Sequence, residues 1–366
     1  MKILQIMTEL GFGGAERVVL ELCRALTARG DTVYLAVMKD LPEANMRQEF
    51  VKLGIYPDIL KLNSFRDFRK IGKLRKLIRE YQPDVIHSHL MHPNLITRIA
   101  NLRTGIPLIN TVHISERRGR QNLFFLLDSM TNGLCTRYTA VSDASARFHE
   151  RKIHLQKGTI RTIRNGVDPA AECSQEELDS ARERWQVSMC SRLLGAVGRL
   201  NQQKGFDRLL RVLRTLEKRI PEKETWGVVI LGEGPDRQIL EDMARSFPHR
   251  KLIIKFPGFE PEAAALAKAF DVFLMPSRYE GYGLVLAEAI NLGLPCVYQP
   301  VDSLPELADG ISYAFPARFD DPEADQQTVE TILDAAKLPH SEPKTLFSVA
   351  EMTAQYVELY QEVIQK

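Results

Sequence analysis

Short apolar runs, each followed by a turn and then a stretch of helical composition, recur along the whole of this 366-residue chain. That alternation restricts the fold more than any other feature, because parallel strands can pair only through crossovers long enough to hold a helix. In the first half the runs are Lys2 to Met7, Thr32 to Met38, Asp58 to Leu60, Asp84 to Leu90, Pro107 to His113 and Arg137 to Ser142. In the second half they are Leu193 to Leu200, Val228 to Pro235, Leu252 to Phe259 and Asp271 to Ser277. A helix is expected from Ala15 to Arg29, with Val18, Val19, Leu22 and Leu26 on its apolar side. The implied class is α/β, with two doubly wound, Rossmann-like sheets and ligands at strand ends.

The most informative stretch is DVFLMPSRYEGYGLVLAEAINLG, residues 271–293. It reads as a buried strand, a glycine-broken loop and a helix that ends at Gly293 and Pro295. A helix that opens there leaves backbone N–H groups without partners near Gly281, Tyr282, Gly283 and Leu284, and such a terminus attracts phosphate. Glu280 in the loop and Glu288 in the helix bracket it, placed to accept hydrogen bonds from the hydroxyls of a sugar and of a ribose. Two glutamates at this spacing are weak evidence alone, so the rest of the chain has to supply matching parts.

Set between strand and helix, the Glu280-x7-Glu288 pair resembles the donor-site motif of the retaining glycosyltransferases of family 4, which have the GT-B fold. The segments Gly13-Gly14-Ala15-Glu16-Arg17, Asn165-Gly166-Val167-Asp168 and Gly198-Arg199-Leu200 with Lys204-Gly205 are similar to other parts of that family. The resemblance implies two Rossmann-like domains facing across a cleft. It also implies metal-independent transfer of a hexose-type sugar, with retention, from a nucleotide sugar, UDP-linked, to a saccharide or lipid-linked acceptor of the lipopolysaccharide or capsule type. Arg199 and Lys204 would neutralise the leaving diphosphate, in place of a metal ion. Glu280 would position the sugar, Glu288 the ribose, and His113 the reacting face of the sugar. Gly13 and Gly14 would face the distal phosphate, and the backbone near Phe259 the base. The domains expected are 1–168 for the acceptor, a linker region at 169–190, 191–345 for the nucleotide sugar, and a terminal helix at 346–366 returning to the first domain. Residues 299–345 match poorly, beginning with the loop Gln299 to Leu307 where the family carries a glycine-rich one.

Several features admit a plainer reading. Gly13-Gly14 also suits an ordinary tight turn, and His113 an ordinary strand end. His87, His89 and His92 have the look of a metal cluster, but no further ligand lies at suitable spacing, and lining a strand end is the expected role. Residues 64–80 form an amphipathic helix, with Phe65, Phe68, Ile71, Leu74 and Ile78 opposite Arg66, Arg69, Lys70, Lys73 and Lys76. It suits either core packing with a solvated basic face or contact with an anionic lipid. Arg117, Arg118 and Arg120 before an apolar run are a second candidate for such contact.

Composition narrows the class. Residues 1–168 carry 27 Lys and Arg against 16 Asp and Glu, and the remainder 22 against 31, so a basic half precedes an acidic one. Five scattered cysteines without a C-x-x-C pair argue against a disulfide framework or zinc site, and for a reducing compartment. With no apolar run of signal-peptide or spanning length, the expected location is the cytoplasm or the inner face of its membrane. A nucleic-acid partner is not expected. The rival readings are a sugar-nucleotide isomerase of the same fold and a non-catalytic sugar-nucleotide binder.

Overall fold

The structure is a computed structural model and describes residues 1–40, 46–62, 71–113, 122–246 and 251–365. It divides into two compact units, Met1–Gly166 with Phe347–Lys366, and Val167–Leu346. In chain order the first unit carries β1 (Lys2–Met7), α1 (Gly14–Ala28), β2 (Thr32–Val37), α2 (Arg47–Lys52), β3 (Asp58–Ile59), α3 (Ile71–Tyr81) and β4 (Val85–His89). Next come α4 (Met91–Ala100), β5 (Leu108–Val112), α5 (Asn122–Thr131), β6 (Arg137–Ala140), α6 (Asp143–Ile153) and β7 (Arg161–Thr162). The strands form a seven-stranded sheet ordered β3-β2-β1-β4-β5-β6-β7. Every neighbouring pair is parallel, the outcome that helical crossovers require.

The second unit carries α7 (Gln175–Arg184), β8 (Arg192–Val197), α8 (Phe206–Glu217), β9 (Trp226–Leu231), α9 (Arg237–Arg245), β10 (Leu252–Gly258), α10 (Ala263–Leu266) and β11 (Val272–Met275). It continues with α11 (Leu284–Asn291), β12 (Cys296–Tyr298), α12 (Leu304–Ala308), β13 (Ala314–Pro316) and α13 (Asp325–Ala335). Its sheet is again parallel and six-stranded, in the order β10-β9-β8-β11-β12-β13. Helix α14 (Val349–Ile364) then returns to the first unit.

Each unit has its own apolar core. In the first, Leu4, Ile6, Ile86 and Leu108 of the sheet pack with Leu74 and Ile78 of α3. In the second, Leu194, Val228, Ile230 and Val272 pack with Leu209, Leu213 and Leu216 of α8. Ile71, Leu74 and Ile78 are buried while Lys73 and Lys76 are exposed, so the described part of the amphipathic helix is a core helix with a solvated basic face. Residues 63–70 and 114–121, on which the rest of that helix and Arg117, Arg118 and Arg120 fall, lie outside the described residues.

The segment 169–190, expected as a linker region, is folded onto the second unit. Its helix α7 opens with a capping box of Ser174 and Glu177, and buries Leu178 and Ala181. Trp185 beyond it packs on Phe270 with ring centroids 5.6 Å apart. Acidic composition suggests a linker because charged residues dominate the segment, but Leu178, Ala181, Trp185 and Val187 are spaced so that all four are buried.

Candidate functional site

In the second unit two loops at strand C-termini are locked together. After β8, Arg199 stands exposed, Asn201 caps a 3-10 turn by accepting from the Lys204 N–H at 3.3 Å, and Gly205 opens α8 with φ +69°. A Cβ at Gly205 would lie 2.2 Å from the Pro276 carbonyl oxygen, so only glycine lets this turn approach the end of β11. Across that approach Arg278 donates to both Asp207 carboxylate oxygens at 2.7 and 2.6 Å, and to the Gln202 carbonyl at 2.8 Å. Burial acts to raise the Asp207 carboxyl, but the Arg278 hydrogen bonds outweigh it and hold it below its usual range.

Glu280 is the centre of this arrangement. Its Oε1 accepts from Lys204 Nζ at 2.7 Å and from Ser277 Oγ at 2.7 Å, and its backbone N–H donates to Asp302 at 3.0 Å. Glu280 is 5% exposed, so the carboxylate is held by charge-assisted bonds in a mostly dry setting. Ser303 Oγ donates to the Tyr282 carbonyl at 2.8 Å and fixes the loop's far side. Gly283, with φ +94°, is the N-cap of α11. The first-turn amides of Leu284 and Val285 have no acceptor within the helix, and both residues are partly exposed. Glu288 sits in the second turn of α11 at 8% exposure. Phe259, just past β10, is half exposed. The structure thus brings Lys204, Glu280 and the α11 terminus into one cluster, with Arg199 as an exposed cation on the β8 loop.

The first unit has its own concave site. Gly13 is the N-cap of α1, and Gly14 is exposed as its first residue. A cavity of about 310 Å³ is lined by Glu9, Glu16, Lys39, Asn94, His113 and His149, among others. His113 follows β5 directly, and its Nε2 lies 2.9 Å from His89 Nδ1. Burial lowers the imidazole from 6.5 to about 4, so the ring is neutral at physiological pH. His87 and His89 are engaged by Tyr360, Thr111, Gln5 and His113, and no group of three or more potential metal ligands is found among the described residues. His149 of the cavity wall lies 2.8 Å from Asp128, which Arg98 also holds at 2.6 Å. Burial opposes ionisation there, yet the His149 and Arg98 partners bring Asp128 down to about 2.

Residues 12–171 match Glycosyltransferase Family 4, and residues 191–335 match Glycosyl transferases group 1. The chain belongs to the glycosyltransferases. This glycosyltransferase is 26% identical over 330 residues to the putative glycosyltransferase EpsF of Bacillus subtilis, covering 84% of this chain and 81% of that one. It is 22% identical over 322 residues to the UDP-Gal:alpha-D-GlcNAc-diphosphoundecaprenol alpha-1,3-galactosyltransferase of Escherichia coli, covering 82% and 80%. Its fold is that of Anabaena Alr3699/HepE, solved in complex with UDP-glucose, with a TM-score of 0.78 at 19% identity over 99% and 100% of the two chains. The GT-B fold, two Rossmann-like halves, is therefore the fold of this enzyme.

Sequence reasoning missed Ser277, Asp302, Ser303 and the Arg278–Asp207 pair as supports of the Glu280 loop. Asp302 and Ser303 lie more than twenty residues beyond Glu280, in the very loop that departs from the family pattern. Gln299 and Glu306 lie in the same stretch between Tyr298 and Leu307, so polarity alone does not single out Asp302 and Ser303.

Proposed function

We propose that this glycosyltransferase moves a hexose-type sugar from a UDP-sugar to a saccharide or lipid-linked acceptor of surface glycan synthesis, with retention of configuration and without a metal ion. The observation that carries the reading is the Lys204–Glu280–Ser277 cluster beside the opening turn of α11. A diphosphate at that turn meets free N–H groups and the Arg199 and Lys204 cations, while Glu280 accepts from sugar hydroxyls and Glu288 from the ribose. In the transfer the bond from the anomeric carbon to the phosphate oxygen breaks as the bond to the acceptor oxygen forms. The acceptor's proton passes to the departing phosphate, and Arg199 and Lys204 hold the charge that develops there. The proposed roles of His113 at the reacting sugar, of Gly13 and Gly14 at the phosphate and of the Phe259 backbone at the base belong to the same reading. The Escherichia coli relative is named as a UDP-Gal-dependent galactosyltransferase, and the Anabaena structure holds UDP-glucose, which supports that choice.

A screen of UDP-hexoses by released UDP, with crude bacterial glycolipid as acceptor, tests it. Lys204→Ala and Glu280→Ala are expected to lower kcat/KM by at least about 10²-fold, the scale of losing a transition-state charge partner, with unchanged circular dichroism. Wild-type rates in either reject the site. EDTA is expected to leave the rate unchanged, and a loss restored by a divalent ion rejects metal-free transfer.

Contact with an anionic membrane, from the cytoplasmic side, belongs to the same proposal. Leu123, Leu126 and Met130 project from α5 at 61%, 55% and 73% exposure, and exposed Arg147, Arg151 and Lys152 lie on α6 packed beside it. No helix among the described residues is long and apolar enough to cross a membrane. Co-sedimentation with anionic vesicles is expected to fall when Leu126 and Met130 become Ser, and unchanged binding rejects this face.

A further inference from the structure

One face of the first unit's sheet is polar where an apolar layer is normal. Gln5 on β1 pairs in register with His87 on β4, His89 with Thr111 on β5, and Thr111 with Thr139 on β6. Strand alternation puts His89 beside His87 on the same face, and His113 beside Thr111. All are buried, the least covered being His113 at 8% exposure, with α14 packed over the row. Polar side chains placed this deep hold only if they find partners, and here every side chain of the row has at least one.

The partners form one continuous chain. Thr139 Oγ1 and Thr111 Oγ1 are 2.5 Å apart, Thr111 Oγ1 and His87 Nε2 2.6 Å, and His87 Nδ1 and the Tyr360 hydroxyl 2.7 Å. Gln5 Nε2 donates to the Tyr360 hydroxyl at 3.3 Å, and Gln5 Oε1 lies 2.8 Å from His89 Nε2. His89 Nδ1 lies 2.9 Å from His113 Nε2. The amide sets the direction of all of them, because its oxygen can only accept and its nitrogen only donate. Gln5 Oε1 makes His89 Nε2 carry hydrogen, so neutral His89 has a bare Nδ1, and His113 Nε2–H must donate to it. On the other side Tyr360 O–H, taking the amide's hydrogen, gives its own to His87 Nδ1, and His87 Nε2–H gives to Thr111. Nδ1 of His113 is then the ring's remaining polar atom. It has no partner among the described residues, and the ring lines the 310 Å³ cavity.

We propose that this buried chain locks His113 as the Nε2–H tautomer. His89, Gln5 and Tyr360 are its positioning residues, and Nδ1 is left as an acceptor that selects a sugar bearing a hydroxyl, and rejects one bearing a carboxylate, at the atom it faces. The selection rests on the reading of His113 as a contact of the transferred sugar. A hydroxyl donates to the bare nitrogen. A carboxylate sets lone pairs against a lone pair, and a neutral ring in a buried site offers no charge in return.

Two-bond ¹H–¹⁵N spectra of ¹⁵N-histidine-labelled wild-type protein read the tautomer directly. The Nε2–H form is expected for His113, and an Nδ1–H form overturns the lock. Tyr360→Phe removes one hydroxyl, freeing the Gln5 amide to turn over. A mixed His113 tautomer and a roughly tenfold lower kcat/KM for the hexose donor are expected, and an unchanged tautomer together with an unchanged rate overturns the positioning role. Paired assays with the preferred UDP-hexose and the UDP-hexuronate of the same configuration test the selection. Wild type is expected to favour the hexose by about 10²-fold or more and Tyr360→Phe by less, while equal use by wild type overturns it. Full activity in His113→Ala removes the sugar-contact reading and the selection with it, an outcome separate from the tautomer spectrum.

Discussion

At the residue scale, buried histidines set the acid limit of the first unit. His87 and His89 are pushed well below 6.5, mainly by burial and further by neighbouring imidazoles, and burial brings His113 to about 4. The unfolded chain therefore binds more protons than the folded one between about 4 and 6.5, and stability is complete above pH 6.5 and lost as the pH falls through that window. For His113 alone, a drop from 6.5 to about 4 corresponds to roughly 3 kcal/mol. Asp128, held near 2, has its own loss only below the ordinary carboxylate range near 3.8, so it does not compete in this window. Urea unfolding is expected to show stability falling from pH 6.5 to 4.5, and His113→Gln to flatten that slope. A stability flat down to pH 4.5 would mean these rings are not held neutral.

The same histidines show what spacing alone could not settle. H-x-H-x-x-H is compatible with metal, but His87 and His89 point to one face of β4 and are consumed by Tyr360, Thr111 and Gln5. Gln5 and Tyr360 are 355 residues apart, so nothing local announces the network. Glu280 was legible in the sequence, yet its direct ion pair with Lys204 was not, because the two lie 76 residues apart.

At the element scale, the strand–loop–helix unit of 271–293 was readable because every signal in it is local: an apolar run, three turn residues and a helix closed by Gly293. Its rigidity comes from elsewhere. The loop ending in Gly205 is pressed against Pro276 so closely that a Cβ would stand 2.2 Å from the carbonyl oxygen, with φ at +69° besides. Gly205→Ala is expected to cost about 2–4 kcal/mol, from left-handed strain plus displaced backbone. It should also lower kcat/KM more than stability alone explains, because Lys204 is the preceding residue and moves away from Glu280. Differential scanning calorimetry with steady-state kinetics checks both, and a variant of wild-type Tm and rate would show that the two loops are not interlocked.

At the scale of the whole molecule, the first unit is discontinuous in sequence. Helix α14 supplies Met352, Tyr356, Leu359, Tyr360 and Val363, all buried. At roughly 1.5–3 kcal/mol each, these five side chains contribute about as much as the entire net stability of a typical domain, 5–15 kcal/mol. Gly166 closes the unit against this helix, its N–H 3.2 Å from Met352 Sδ. Residues 167–346 expressed alone are expected to unfold cooperatively. Residues 1–166 without 347–366 are expected to bind a hydrophobic dye and lack a sharp transition, and a cooperative fold in that fragment would reduce α14 to a dispensable cover.

The sequence by itself determined the α/β class, the two Rossmann-like halves and the strand–loop–helix unit that carries Glu280 and Glu288, because periodicity, turn chemistry and a helix opening are properties of neighbouring residues. Only the tertiary structure decided which side chains hold those residues: Ser277, Lys204 and Asp302 around Glu280, and His89, Gln5 and Tyr360 behind His113. Hydrogen bonds and buried ion pairs act over about 3 Å whatever the separation along the chain, so partners tens or hundreds of residues apart leave no pattern in the sequence until the sheets bring them together.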